Sequence, residues 1–190
     1  ERLGLLYVDA NVDLNTPDTT RTGALDSMGV SHLIGLGCDA LGRIGPRFPL
    51  LADEEIVLFG FHPDGLNPGE GPIFAERAMH AYPMLRVRDD PSAAGEAVAT
   101  LEARTDGFLV HFDVDVVDFI DFPAANIPHY HDHPGATLAA VTAHLARFAA
   151  SPKFLGLTVT EFNPDHDPDG VQARRLVRVL RRVLANGTDR

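Results

Sequence analysis

The stretch YVDANVDLNTP, residues 7–17, ends an apolar run and places Asp9, Asn11, Asp13 and Asn15 within seven residues. In an extended chain successive side chains alternate, so residues two apart face the same way. Asp9, Asn11 and Asp13 then form a comb of oxygen donors, provided the extended conformation continues past the strand end. The run that precedes them, LGLLYV at 3–8, is apolar throughout rather than alternating, which marks a strand covered on both faces.

Working outward, runs of strand length recur at 56–60, 84–87, 108–113 and 154–160. Between them the segments 72–82, 92–104, 136–150 and 169–185 carry apolar residues three and four apart, the helical period. Ser92 reads as an N-cap, with Glu96 in the first turn. This alternation predicts an α/β fold, a three-layer α/β/α arrangement around a mainly parallel sheet. The segments 17–45, 61–71 and 120–135 are dense in Gly, Pro, Asp and Asn and read as long loops, of the kind that is functional or mobile in a compact domain. With 190 residues and 45% hydrophobic content, the chain can bury one core, and 1–190 reads as a single domain.

The formal charge of -11 argues against a nucleic-acid partner. The last helix does carry a basic face, Arg174, Arg175, Arg178, Arg181 and Arg182, opposite a stripe of Ala173, Leu176, Val177, Leu180, Val183 and Leu184. No aromatic platforms interleave with those arginines, so they read as a solvated face. No apolar run reaches the roughly 18 residues of a membrane span. The lone Cys38 cannot form an internal disulfide and fits a reducing, cytoplasmic setting. The chain opens on Glu1 and enters a core-type strand almost at once, so a piece of something longer, with its sheet incomplete at the N-terminal end, is expected.

Ligands of open parallel sheets bind beyond the carboxyl ends of the strands. Three strands here end in acids: 3–8 in Asp9 and Asp13, FLVHFDVDVVDF at 108–119 in Asp113 and Asp115, and GLTVTEFNP at 156–164 in Glu161. Carboxylates crowded on one rim need protons or cations to neutralise them, and a divalent ion is the simpler solution for so many. Oxygen donors suit Mg, Mn or Ca. Taken alone, DVDVV after a strand also fits the haloacid dehalogenase phosphatases, with Asp113 as nucleophile and Asp115 as acid/base. That chemistry needs a phosphate-facing lysine, and Lys153, the only lysine, precedes a strand instead of following one.

DANVDLNTP, HFDVDVVD and TEFNP, in this order, resemble the Asp-Ala-His-x-Asp-x-Asn-x-Pro, Ser-x-Asp-x-Asp-x-x-Asp and Glu-x-Asn-Pro segments of the ureohydrolase superfamily of arginases, agmatinases and formiminoglutamases. The resemblance runs from about Leu3 to the last helix. It implies an arginase-like fold and a binuclear Mn2+ site with metal ligands Asp9, Asn11, Asp13, Asp113 and Asp115, Asp9 and Asp113 being shared by both ions. It implies catalytic roles for Glu161, Asp13 and Asp26, and substrate contacts by Asn15, Thr22 and Glu161. The implied activity is metal-dependent hydrolysis of linear amidine or guanidino C–N bonds in a small substrate, by a homo-oligomer, trimeric or hexameric. Asn11 stands where the family has a histidine ligand, Asp26 where arginases have a proton-shuttling histidine, and Ala24 where they have a substrate-contacting asparagine. The family's other histidine ligand belongs to a segment upstream of Glu1. These departures support an alternative: a catalytically inactive ureohydrolase-like structural or assembly module. His129, His131 and His133 lie in a loop near the expected rim, where one could donate an imidazole to metal, and read first as solvent-facing; His111 reads as a hydrogen-bonded core histidine turned away from the Asp113 site.

Overall fold

Five parallel strands form one sheet in the computed structural model, which describes residues 1–126 and 134–185. In chain order they are β1 (Leu3–Val8), β2 (Ile56–Phe59), β3 (His80–Tyr82), β4 (Gly107–Asp113) and β5 (Phe154–Thr160), arranged β3-β2-β1-β4-β5. The helices are α1 (Gly29–Leu33), α2 (Asp39–Gly42), α3 (Glu70–Glu76), α4 (Met84–Asp89), α5 (Ala93–Glu102), α6 (Leu138–Ala149) and α7 (Val171–Ala185). From β1 the chain steps to β2 and β3 on one side, then returns to place β4 and β5 on the other. The strand order therefore reverses beside β1, and a doubly wound sheet opens its ligand crevice at such a point.

The sheet is covered because its strands present apolar side chains to both sides. Leu6 and Val8 of β1, Val57 and Phe59 of β2, and Phe108, Val110 and Phe112 of β4 pack against α4, α5, α6 and α7 in one continuous core. Small side chains on α5 (Ala93, Ala94 and Ala97, all buried) let that helix lie close to the strands. Each fully buried phenylalanine adds about 2 to 3 kcal/mol of apolar transfer. On the opposite side Tyr7, Ile56 and Leu58 meet Val30 and Ile34, with Ile73 and Phe74 of α3 packed against them. This gives the three-layer α/β/α arrangement expected from the alternation.

α6 shows how local chemistry fixes an element. Thr137 is its N-cap, its hydroxyl accepting from Ala140 N at 3.2 Å, and Asp121 accepts from Leu138 N at 2.7 Å. Such a cap is worth about 1 kcal/mol. The buried His144 of α6 then bonds Val87 O at 2.8 Å, tying α6 to α4.

The structure corrects several expectations. Residues 84–87 form the start of α4, with Met84 and Val87 buried one helical step apart, and Pro83 occupies its N-cap. The helix expected at 72–82 begins earlier and ends at Glu76, and 80–82 is the edge strand β3. Short apolar runs carry no period long enough to separate the two states. Two short helices, α1 and α2, lie within 17–45, which read as loop. Ser92 occupies the N-cap position of α5 without a side-chain cap; its hydroxyl donates to Asp90 at 2.7 Å instead. On α7 the buried stripe is Leu176, Val179 and Val183, with Val177 and Leu184 exposed. Arg175 leaves the solvated face to bond Asp121 at 2.8 Å.

Candidate metal and substrate site

β1 and β4 are adjacent, with Val8 opposite Phe112, so the residues that follow, Asp9 and Asp113, emerge side by side at the crevice. Asp9 is held in register by donating its N–H to Phe59 O at 3.1 Å. One Asp9 oxygen accepts from Asn11 N at 2.6 Å, and Asp115 accepts from Ala10 N at 3.1 Å and from Asn11 Nδ2 at 3.0 Å. Asp113 accepts from Asp115 N at 2.9 Å and from Thr160 Oγ1 at 2.8 Å, which brings in β5. Asp9, Asn11, Asp113 and Asp115 thus form one bonded set. Beneath it Gly60, at φ +107, passes so close to Val116 that a Cβ would sit 2.5 Å from Cγ2; only glycine fits the path that packs this turn under Asp9.

The route by which Asp115 arrives differs from the extended comb. β4 stops at Asp113, and Val114–Val116 form a single 3-10 turn that Asp113 caps. Asp13 likewise leaves the extended region at φ +48, and Glu161 sits at φ +60. They are the non-glycine residues with positive φ among those described, and each such conformation costs on the order of 1 kcal/mol or more.

His111 corrects the reading of a core histidine facing away. The spacing of two that aligns acids on a strand places His111 on the Asp113 side as well. Its Nε2 lies 4.0 Å from Asp9 Oδ2, and its ring stacks on Tyr7 with centroids 4.3 Å apart. Asp9, His111 and Asp113 each offer one donor atom, and these atoms all lie within 4.8 Å of one another. His129, His131 and His133 lie outside the described residues.

Burial sets the electrostatics. The Asp9 carboxyl, 3% exposed, is pushed well above the usual carboxylate range, first by burial and then by the charges of Asp115, Asp13 and Asp113. Burial and Asp115 raise Asp113 to about 9. Burial raises Asp13 to about 8, against the hydrogen bond donated by the Tyr7 hydroxyl. Burial lowers His111 to about 4, keeping its imidazole neutral and able to donate a lone pair. The charges acting most strongly on the aspartates are other acids, so no cationic side chain among the described residues offsets them to a comparable degree. A buried set of carboxylate oxygens with one neutral imidazole fits a hard or borderline divalent cation.

Beside the crevice, a cavity of about 210 Å³ is lined by Asn11, Asp13, Asn15, Thr22, Ala24, Asp26, Ser27, Gly65, Asn67 and Glu70. Of the residues the motifs singled out, Asn11, Asp13, Asn15, Thr22 and Asp26 therefore share one wall, while Glu161 lies on the Asp113 side and acts on that carboxyl. Burial and the Asp115 charge raise the Asp26 carboxyl. Glu70 had no sequence signal. It is buried and accepts from Leu14 N, Asn67 N and Nδ2, and Asn15 Nδ2, the last at 3.0 Å, so it orients Asn15 from 55 residues away. Lys153 donates to Glu102 O and Thr105 O, at the start of β4 and at the opposite end of that strand from Asp113.

These features define an α/β protein with a carboxylate-rich crevice, able to hold a divalent ion, at the switch point of a parallel sheet. The chain belongs to the arginase family, whose model matches residues 1–185. It is 33% identical over 130 residues to the arginase of Bacillus caldovelox, a match covering 67% of this chain and 43% of that one. Identity to the arginase of Brevibacillus brevis is 26% over 188 residues, 98% of this chain and 61% of the relative. The solved arginase from Bacillus caldovelox superimposes with a TM-score of 0.88 at 28% identity, over 97% of this chain and 60% of that one. The chain thus spans between about two fifths and three fifths of the length of these relatives. No described helix is long and apolar enough to cross a membrane.

Proposed function

We propose that this chain carries the metal and substrate site of a hydrolase acting on the C–N bonds of linear amidines or guanidino compounds, with Mn2+ as its ion. The observation that carries the reading is the convergence of Asp9, Asp113 and Asp115 from two strands into one bonded crevice poor in positive charge. Asp9, Asp13, Asp113 and Asp115 would hold one or two ions, with the Asn11 carboxamide oxygen as a further donor. When bound, such an ion acidifies water and stabilises developing negative charge.

The chain's own residues do the rest. Glu161 matches the charge of an amidinium and orients it. Asp26, its carboxyl raised by burial and by the Asp115 charge, gives or takes a proton across the cavity from Asp13. Thr22 and Asn15 contact the substrate tail. Among the described residues the cavity wall includes Asp13, Asp26 and Glu70 and no lysine or arginine, which favours a neutral or cationic tail over one ending in a carboxylate. Arginine is accordingly not the favoured substrate. A cytoplasmic setting goes with the single free thiol of Cys38, and a homo-oligomer with the family.

The test is to load the purified chain with Mn2+ and measure urea and amine release from guanidino compounds with and without a carboxylate. Turnover of the carboxylate-free compounds supports the proposal, and failure to bind Mn2+ refutes it. A second reading, a structural or assembly module without turnover, has one observation on its side: Asn11 donates a hydrogen bond to Asp115 where a ligating imidazole would accept a metal. Mn2+ binding without turnover of any compound selects that reading.

A further inference from the structure

Asn11 is committed as a donor to Asp115, yet an imidazole reaches the same crevice from another strand. His111 pairs across the sheet with Tyr7, and the two rings lie flat against each other at an interplanar angle of 5°. Tyr7 is itself anchored by donating its hydroxyl to Asp13. The His111 ring plane is therefore set by the site, with Nε2 facing Asp9 Oδ2 at 4.0 Å. Two donors bound to one ion at about 2.1 Å each are separated by at most ~4.2 Å. The observed separation already lies within that span.

The outer shell is also in place. A ligating histidine uses its second nitrogen to hold tautomer and orientation. Thr158 Oγ1 lies 3.3 Å from His111 Nδ1, and Thr160 Oγ1, 3.3 Å from Nε2, also donates to Asp113 at 2.8 Å. Turning Nε2 to an ion releases the longer of the Thr160 contacts and leaves its bond to Asp113 intact. Nδ1–H then donates to Thr158.

We propose that His111 is a metal ligand, supplying with Asp9 and Asp113 the imidazole that position 11 lacks, and that Thr158 is its positioning partner. The assignment rests on the metal-dependent reading above. It moves the nitrogen ligand from the loop after β1 to the body of β4, so a histidine where the family motif has serine compensates an asparagine where it has histidine.

Isothermal titration of the purified full chain with Mn2+, with pulsed electron paramagnetic resonance on the loaded protein, tests this. Wild type is expected to show imidazole nitrogen coupling to Mn2+. His111→Asn should lose that coupling and bind at least about 100-fold more weakly, beyond the ~10- to 100-fold typical of losing an outer partner. Its circular dichroism and metal-free melting temperature should stay near wild type. Thr158→Val should keep the coupling and weaken binding about 10-fold, and it carries the test if His111→Asn does not fold. Mn2+ bound with no nitrogen coupling, or coupling and affinity unchanged in His111→Asn, overturns the assignment and leaves the metal-dependent reading standing. No Mn2+ bound by wild type at millimolar concentration overturns both.

Discussion

The Asn11 carboxamide donates through Nδ2 to Asp115 Oδ2 at 3.0 Å, and Asp115 Oδ1 accepts from Ala10 N at 3.1 Å. Both Asp115 oxygens therefore face donors of the segment that follows β1. Asn11→His exchanges that donor for a nitrogen that can donate its lone pair to a metal, and removes the Asn11 bond to Asp115 Oδ2. Imidazole is a better ligand than an amide oxygen for ions of this class. The expected result is Mn2+ binding about 10-fold tighter than wild type by titration calorimetry. Equal or weaker binding would show that the crevice does not place an ion beside position 11.

The acids predict an unusual pH dependence. A raised carboxyl binds a proton in the folded chain that the unfolded chain has already lost, so its stabilising contribution is complete below about pH 4 and fades as pH rises. For Asp13, raised to about 8, and Asp113, raised to about 9, the loss is completed as pH passes through those values. Carboxyls held low by partners, such as Glu55 beside Arg47, act in the opposite sense and only in the acid range. The metal-free melting temperature should therefore fall between about pH 4 and pH 9, as stability drops by at most ~1.4 kcal/mol per pH unit per group. Mn2+ replaces the missing positive charge and should flatten the slope. A metal-free melting temperature that rises over this range would contradict the assignment of these groups as buried and uncompensated.

Much of this architecture can be read from residues whose physics is local. β1, β4 and β5 are legible because each is a largely apolar run closed by an acid, and their parallel pairing follows from the helices between them. β3 and α4 are not, since His80–Tyr82 is too short to show a period and Met84 and Val87 fit either state. In the site, Asp9 and Asp113 follow from strand ends. Asp115 reaches the crevice through a 3-10 turn that no strand rule anticipates. His111 is legible by the same spacing of two that aligns acids on a strand, although a lone histidine in an apolar run reads equally as a core residue. Glu70 was beyond reach, because its bond to Asn15 spans 55 residues.

The core on the helix side predicts a large, ordinary loss on truncation. Phe148 of α6 is fully buried and meets Phe59 of β2 edge to face, with centroids 5.2 Å apart and planes at 89°. It carries the contact of that helix with the strand whose end holds Asp9 in register. Phe148→Ala should cost about 3 to 5 kcal/mol, read as a lower urea midpoint with an unchanged slope. A loss under about 1 kcal/mol would mean that α6 repacks, and that the Phe59 carbonyl bonded to Asp9 is positioned by something else.

Asp113 links stability to function most directly. Its carboxylate accepts from Asp115 N and Thr160 Oγ1 while burial and Asp115 hold it at about 9. Without a cation, the carboxyl therefore stays neutral up to about pH 9, and charging it above that works against the fold. Asn at this position keeps an acceptor for one of the two donors, removes the buried charge, and loses an oxygen that a metal would need. Asp113→Asn should melt above wild type when both are metal-free at pH 9, with the difference shrinking toward pH 5, where the wild-type group is already neutral. The same variant should show no Mn2+-induced thermal shift. This opposition, a gain in stability with a loss of ligand binding, separates a functional acid from a structural one, because a carboxylate serving only to cap the turn would lose stability on substitution and leave the metal response intact. A metal response retained by Asp113→Asn would remove Asp113 from the ligand set and, with it, the reading that the crevice is built around an ion.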